Sequence, residues 1–161
     1  MKKKIDNNLT LYFTNTFPYK SAKSSKKTNT VTVGIGGNIG DVSKRFKKLF
    51  LAFKSDSRFT LIKTSPLLTN PPFGFINQDD FLNGIIVLKT NLSPLACLKA
   101  FQRYEYRFQR VRSFQDAPRT LDIDIIFFNN LKMKTEVLTL PHHGYKSRES
   151  VLIPLEFINK S

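Results

Sequence analysis

An α+β fold is predicted by three features of the 161-residue chain. Val31, Val33 and Ile35 in VTVGIG alternate as one face of a strand, and behind them Val42, Phe46, Leu49, Phe50 and Phe53 fall at helical spacing. Downstream, the apolar run FLNGIIVLK (81–89) leads into a second helical stripe and then into a further strand, LDIDIIFF (121–128). One more strand, near RFTLIKTSPLL (58–68), lies between these units. The resulting order β-α-β-β-α-β is that of a ferredoxin-like sheet with helices packed on one face.

Each element has a local cause. In residues 1–30, LTLYFTN alternates as an edge strand would, while YKSAKSSKKTNT has the composition of a flexible arm. The compact domain is therefore placed at 31–161. GGNIG (36–40) turns the chain, Asp41 is a natural N-cap, and Lys44, Lys47, Lys48 and Lys54 form the wet side of the first helix. Pro66 interrupts the second strand, and TNPPFGFINQDD (69–80) is a loop because Pro-Pro and Gly forbid regular structure. Ser93-Pro94 is an N-cap followed by proline at the first helical position, and Cys97, Leu98, Phe101, Tyr104 and Phe108 form the second stripe. The segment 129–158, NNLKMKTEVLTLPHHGYKSRESVLIPLEFI, reads as short strands and loops.

The formal net charge of +14, from 26 Lys and Arg against 12 Asp and Glu, implies attraction to polyanions: nucleic acid, anionic membrane or nucleotide phosphate. Residues 1–30 hold seven Lys and one Asp. The single Cys97 excludes an internal disulfide and reads as a core thiol in a reducing compartment. The longest apolar run near the N-terminus, LTLYF, is too short for a secretory signal, and no segment reaches the ~18 apolar residues of a membrane span. A cytoplasmic monomer acting on small molecules, with neither nucleic acid nor membrane as partner, is expected.

RTLDIDII (119–126) places two carboxylates in a run that otherwise belongs inside a sheet. Strand side chains alternate, so Asp122 and Asp124 point the same way, with Cα atoms about 6.6 Å apart. Two like charges on a half-buried face are costly unless a cation joins them. Carboxylates two apart with few other protein ligands suit Mg²⁺, which keeps waters and takes its remaining oxygens from a phosphate. Such a pair can hold two ions, as phosphoryl-transfer sites do.

Near it lies a dense arginine set: Arg103, Arg107, Arg110, Arg112 and Arg119, with Arg148 further on. Guanidinium forks fit phosphate oxygens bidentately, and Arg110, Arg112 and Arg119 lie in a loop leading into the aspartate strand. Arg103 and Arg107 read as solvated surface. GIGGNIGD resembles a dinucleotide fingerprint, but its third Gly falls one place late, so a tight strand-to-helix turn is its expected meaning. The adjacent histidines of LPHHGYKSR are poorly spaced for one metal; His142 is a candidate phosphate donor.

At this point the motifs resemble a known family. DAPRTLDIDII is similar to the signature of the 6-hydroxymethyl-7,8-dihydropterin pyrophosphokinases, folate-pathway enzymes that transfer pyrophosphate from ATP to a pterin alcohol. The resemblance runs from VTVGIGGNIGD through NPPFG, FLNGIIVL and QRYEYRFQRVR to LTLPHHGYKSR and VLIPLEFI, about residues 31–158. It implies that Asp122 and Asp124 bind two Mg²⁺ bridging the ATP phosphates. Arg110 and Arg119 would clamp the polyphosphate, with Arg112 and Arg148 closing over it on mobile loops. Gln102, Glu105, Thr139 and His142 would line the ATP site. Asn83 would pair with the pterin edge, and Asn70, Pro72, Phe73 and Phe81 would enclose its ring.

Three positions depart from the family pattern. Asp116, in a loop one residue short, stands where some relatives have Trp; Ser150 stands where an aromatic residue often stacks on the pterin; and His143 replaces a Tyr of some members. The implied reaction is a direct displacement in which the hydroxymethyl oxygen attacks the β-phosphorus and AMP leaves. The alternatives are an RNA-binding module of the same architecture and a catalytically weak relative of the family.

Overall fold

The computed structural model describes residues 1–72, 74–111 and 113–160. The central strands are β4 (Asn29–Gly37), β7 (Phe81–Thr90) and β8 (Asp122–Phe128), with β4 antiparallel between the other two. The far side of β7 is occupied by two successive strands, β5 (Phe59–Thr64) and β6 (Leu67–Asn70). Counting β5 and β6 as one broken strand, this is the ferredoxin-like order, and the chain has the α+β fold.

The break between β5 and β6 has a clear cause. Pro66 has no N–H to give to β7, so the buried Ser65 serves instead: its N–H donates to the Ile85 carbonyl (3.0 Å) and its Oγ accepts from the Ile85 N–H (2.8 Å). The strand therefore resumes in a register that sets Leu68 opposite Asn83 and Asn70 opposite Phe81.

Helix α1 (Val42–Ser55) begins at Asp41, whose side chain accepts from the Lys44 N–H, and it buries the expected stripe of Val42, Phe46, Leu49, Phe50 and Phe53. Helix α2 (Pro94–Arg107) is capped by Ser93 and buries Cys97, Ala100, Phe101, Tyr104 and Glu105. Both pack on the face that shows Val31, Val33, Ile35, Ile123 and Ile125, forming the main core. Burial pushes the Cys97 thiol up to about 12, which makes it an inert core group.

The C-terminal part differs from its sequence reading. After the short pair β9 (Met133–Lys134) and β10 (Thr139–Leu140), the chain makes a 3₁₀ turn at Tyr145–Ser147 and then a regular helix, α3 (Glu149–Lys160). Pro154 lies inside this helix and is buried together with Leu155 and Ile158. Ile158 packs with Ile85, Val87 and Ile126, on the face opposite α1 and α2. The sheet is thus covered on both faces rather than one, and tertiary burial overrides the local penalty of proline.

The N-terminal residues add three strands: β1 (Lys2–Lys4), β2 (Thr10–Tyr12) and β3 (Tyr19–Lys20). Strand β2 pairs with β6, β1 pairs with β2, and β3 pairs with β5. Leu9, Leu11 and Phe17 are buried, giving this segment an apolar hold on the domain. No helix among the described residues is long and apolar enough to cross a membrane.

Asp56, the C-cap of α1, accepts from Arg58 through both carboxylate oxygens (2.7 and 3.0 Å) and from the Tyr104 hydroxyl of α2 (2.7 Å). Chiefly through the Arg58 bonds, its carboxyl is lowered from 3.8 to about 2. A depressed carboxyl stabilises the fold above the unfolded-state value and loses that effect as pH falls through the folded one. Asp56→Asn should therefore lower stability at pH 7 by about 1–2 kcal/mol, a figure reduced for the solvent exposure of Arg58. In urea titrations the difference from the unmodified chain should shrink between pH 4 and pH 2; a constant difference would contradict the assignment.

Candidate active site

Strand register brings one row of residues into line across the α3 face. Asp122 lies opposite Gly36, Gly36 opposite Asn83, and Asn83 opposite Leu68, crossing β8, β4, β7 and β6. Two residues along β8, Asp124 lies opposite Gly34. Gly34 lies in the strand as expected, and Gly36 and Gly37 are strand residues too rather than the start of the turn expected at 36–40. Without side chains of their own, Gly34 and Gly36 leave open floor between the carboxylates of β8 and the amide of β7. A Cβ on Gly36 would stand 2.7 Å from Asn83 Oδ1, too close for Asn83 to keep its place.

Above this floor is a cleft of about 560 Å³. Asn70, Pro72, Phe81 and Asn83 line one part of it, and Asp122, Arg119 and Arg148 another. Asn83 Nδ2 donates to Asn70 Oδ1, so the two amides hold each other in place. The Arg119 guanidinium lies over the Phe81 ring at 5.2 Å, a cation–π contact joining the two parts. Asp116 and Ser150, two of the departures from the family pattern, also line the cleft.

The charges converge on Asp122. Arg110 Nη1 donates to its Oδ1 at 2.6 Å and Arg119 Nη1 to its Oδ2 at 3.3 Å. Arg110 Nη1 also donates to Glu105 Oε2 (3.0 Å), and the same oxygen accepts the Ile123 N–H of β8 (2.8 Å). Burial opposes the charge on Arg110, but Asp122, Glu105 and Asp124 outweigh it and raise its pKa. Asp124 behaves in the opposite way. Burial first, then the charges of Asp122 and Glu105, push its carboxyl well above the usual range, despite Arg148 and Arg110.

A carboxylate that resists ionisation until more positive charge arrives fits a cation site. Among the described residues no group of three or more His, Cys, Asp and Glu side chains could enclose a metal. Two carboxylates on an open floor match a hard ion such as Mg²⁺, which takes its other ligands from water and phosphate.

His142 lines a narrow recess with Asp122, Asp124 and Arg148. Its backbone N–H donates to the Ile126 carbonyl (2.9 Å), and its Nδ1 accepts the Gly144 N–H (3.1 Å), so the proton of the neutral ring sits on Nε2. Burial, then His143 and Arg148, lower its pKa and favour that neutral donor form. Gln102 is exposed on α2 and Thr139 half-buried at the start of β10; neither lines the cleft. Phe73 and Arg112 lie outside the described residues.

Sequence reading missed Asn38 and Gln78. The buried Asn38 accepts the Arg119 N–H on its Oδ1 (2.9 Å) and donates through Nδ2 to Gln78 Oε1 (2.8 Å) and the Asp79 carbonyl (2.9 Å). Gln78 Nε2 donates in turn to the Asp116 carbonyl (2.9 Å). Phe75 and Phe114 meet edge to face at 5.2 Å above these contacts. Two loops distant in sequence are thus fastened through one asparagine, and nothing in GGNIGD indicates such partners.

Glu105→Ala would leave the Ile123 N–H without its acceptor and Arg110 with one carboxylate fewer. A loss of about 2–4 kcal/mol in urea denaturation is expected, with Glu105→Gln intermediate because its amide oxygen can still accept from Ile123. Equal effects of the two substitutions would show that the backbone bond is unimportant.

Comparison with known proteins gives a consistent result. The family model of 7,8-dihydro-6-hydroxymethylpterin-pyrophosphokinase (HPPK) matches residues 32–160. The chain is 40% identical over 142 residues to the 2-amino-4-hydroxy-6-hydroxymethyldihydropteridine pyrophosphokinase of Campylobacter jejuni, covering 88% of this chain and 90% of the relative. To the Helicobacter pylori protein of the same name it is 44% identical over 141 residues, 86% of each chain. The Pseudomonas aeruginosa protein of that name is 36% identical over 125 residues, 78% of this chain and 77% of the relative. With the matched region spanning the central strands and most of the cleft lining, the chain belongs to the 7,8-dihydro-6-hydroxymethylpterin-pyrophosphokinase family.

Proposed function

We propose that this pyrophosphokinase of folate biosynthesis transfers the terminal diphosphoryl group of ATP to the hydroxymethyl oxygen of 6-hydroxymethyl-7,8-dihydropterin within the 560 Å³ cleft. The observation that carries the reading is the single row Asp122–Gly36–Asn83. A carboxylate suited to a phosphate-bridging cation and an amide suited to a heterocycle edge share one floor there, with a glycine between them.

The pterin is a flat ring with an amide-like edge, and Asn83, paired with Asn70, offers complementary donors and acceptors. Phe81 and Pro72 enclose the ring. Arg110 and Arg119 present forks to the phosphate oxygens, Arg148 adds charge at the cleft wall, and neutral His142 donates from Nε2. Glu105 belongs to the nucleotide side by holding Arg110.

Asp122 and Asp124 would hold two Mg²⁺, which when bound supply charge neutralisation and Lewis-acid polarisation of the phosphate oxygens. The bond from the hydroxymethyl oxygen to the β-phosphorus forms as the bridge to the α-phosphate breaks, and AMP departs with that bridging oxygen. The hydroxyl proton passes to solvent. Such a transfer needs alignment and electrostatics rather than a nucleophilic side chain. The face on which an RNA-binding sheet would stack bases instead carries Gly34, Gly36, Asp122 and Asp124, which disfavours that alternative.

Incubation with ATP, Mg²⁺ and the dihydropterin alcohol should yield AMP; ADP instead would indicate simple phosphoryl transfer. Asp122→Ala and Asp124→Ala should each remain folded and lose roughly 10²–10³-fold or more in turnover. Near-normal turnover in either variant would overturn the placement of the phosphate end.

A further inference from the structure

The cleft has a wall that the family match does not include. Asp6, Asn8 and Leu9 line it, whereas the matched region begins at residue 32. These three residues form the tip of the β1–β2 hairpin, and register explains how they reach the site. Leu11 lies opposite Leu68, so Leu9, two residues earlier, shares its face and falls at the level of Asn70, two residues after Leu68. The floor row Asp122–Gly36–Asn83–Leu68 therefore continues through Leu11 into the hairpin.

The tip is held firmly. Asp6 Oδ1 accepts the N–H groups of Asn8 (2.7 Å) and Leu9 (2.9 Å), and the Ile5 N–H donates to the Leu9 carbonyl (2.8 Å). Leu9 and Leu11 are buried against Leu68, with Phe13 and Ile153 of α3 beside them, and Phe13 meets the α3 residue Phe157 edge to face. The hairpin is thus wedged between the strand that bears Asn70 and the helix whose first residues, Glu149 and Ser150, line the cleft. One oxygen of the Asp6 carboxylate, Oδ1, is occupied by the turn itself. The Asn8 side-chain amide, in contrast, has no hydrogen-bond partner among the described residues, and it belongs to the same cleft wall as Asn70.

We propose that the hairpin tip is part of the substrate site, with the Asn8 amide hydrogen-bonding the amide-edged heterocycle at the Asn70 end of the cleft. This rests on the reading of the cleft given above and adds to it a substrate-affinity determinant from residues 1–30. Asn8 sits away from Asp122 in this arrangement, so its effect falls on the pterin and not on ATP.

The test measures dihydropterin binding by calorimetry, with Mg²⁺ and a non-hydrolysable ATP analogue present, together with KM for each substrate and thermal stability. Asn8→Ala should raise the pterin Kd and KM roughly five- to tenfold, leave KM for ATP and the melting temperature unchanged, and be partly rescued in Asn8→Gln. Asn7→Ala, one residue away and outside the cleft wall, should match the unmodified chain. Pterin affinity in Asn8→Ala equal to that in Asn7→Ala, or a loss shared equally by both substrates, would overturn the proposal. AMP release by the unmodified chain separates the two readings. Release with unchanged Asn8→Ala affinity rejects the hairpin contact alone, while no release and no pterin binding rejects the reading of the cleft and the hairpin contact with it.

Discussion

Asp122 receives a guanidinium on each carboxylate oxygen, and much of the surrounding architecture follows from holding those three groups together. A half-buried carboxylate on a sheet face is costly unless paired, and two arginines on one aspartate would in turn leave positive charge in excess. Glu105 meets that excess at Arg110, and its same oxygen satisfies the Ile123 N–H on the outer edge of β8. One buried glutamate therefore closes a charge network and the open edge of a strand together. Of the two floor carboxylates Asp124 is the one held towards its neutral form, which is where added positive charge has the most to gain.

The glycines of β4 are the geometric counterpart of this electrostatic arrangement. A strand interior usually gains from side chains, and glycine there weakens it. Gly34 and Gly36 lie between β8 and β7, where they keep the floor of the cleft open, and Gly36 lets Asn83 hold its orientation. The lost packing is confined to the site. The same strand's Val31, Val33 and Ile35 are fully committed to the core beneath α1 and α2.

The walls around that floor come from segments far apart in the chain. Asn38 fastens the loop bearing Arg119 to the loop that follows Pro72, through bonds in both directions. Helix α3 and the N-terminal hairpin brace each other over β6 through Leu9, Leu11, Phe13 and Ile153. Cleft shape thus depends on contacts among the two ends and the middle of the chain.

Local pattern was enough to locate the strands and helices of the β-α-β-β-α-β unit, because the stripe from Val42 to Phe53 and the caps at Asp41 and Ser93 act over a few residues only. It was enough also to single out Asp122 and Asp124, since two carboxylates in an apolar strand conflict with their surroundings wherever that strand goes. What required the tertiary structure was everything set by register and long-range packing. Helix α3 forms despite Pro154 because Leu155 and Ile158 gain an apolar sheet face that sequence does not display. Gly36 resembled a turn residue because a glycine's role depends on what stands opposite it, and its partners Asn83 and Asp122 lie about fifty and ninety residues away in the chain, a separation that only strand pairing closes.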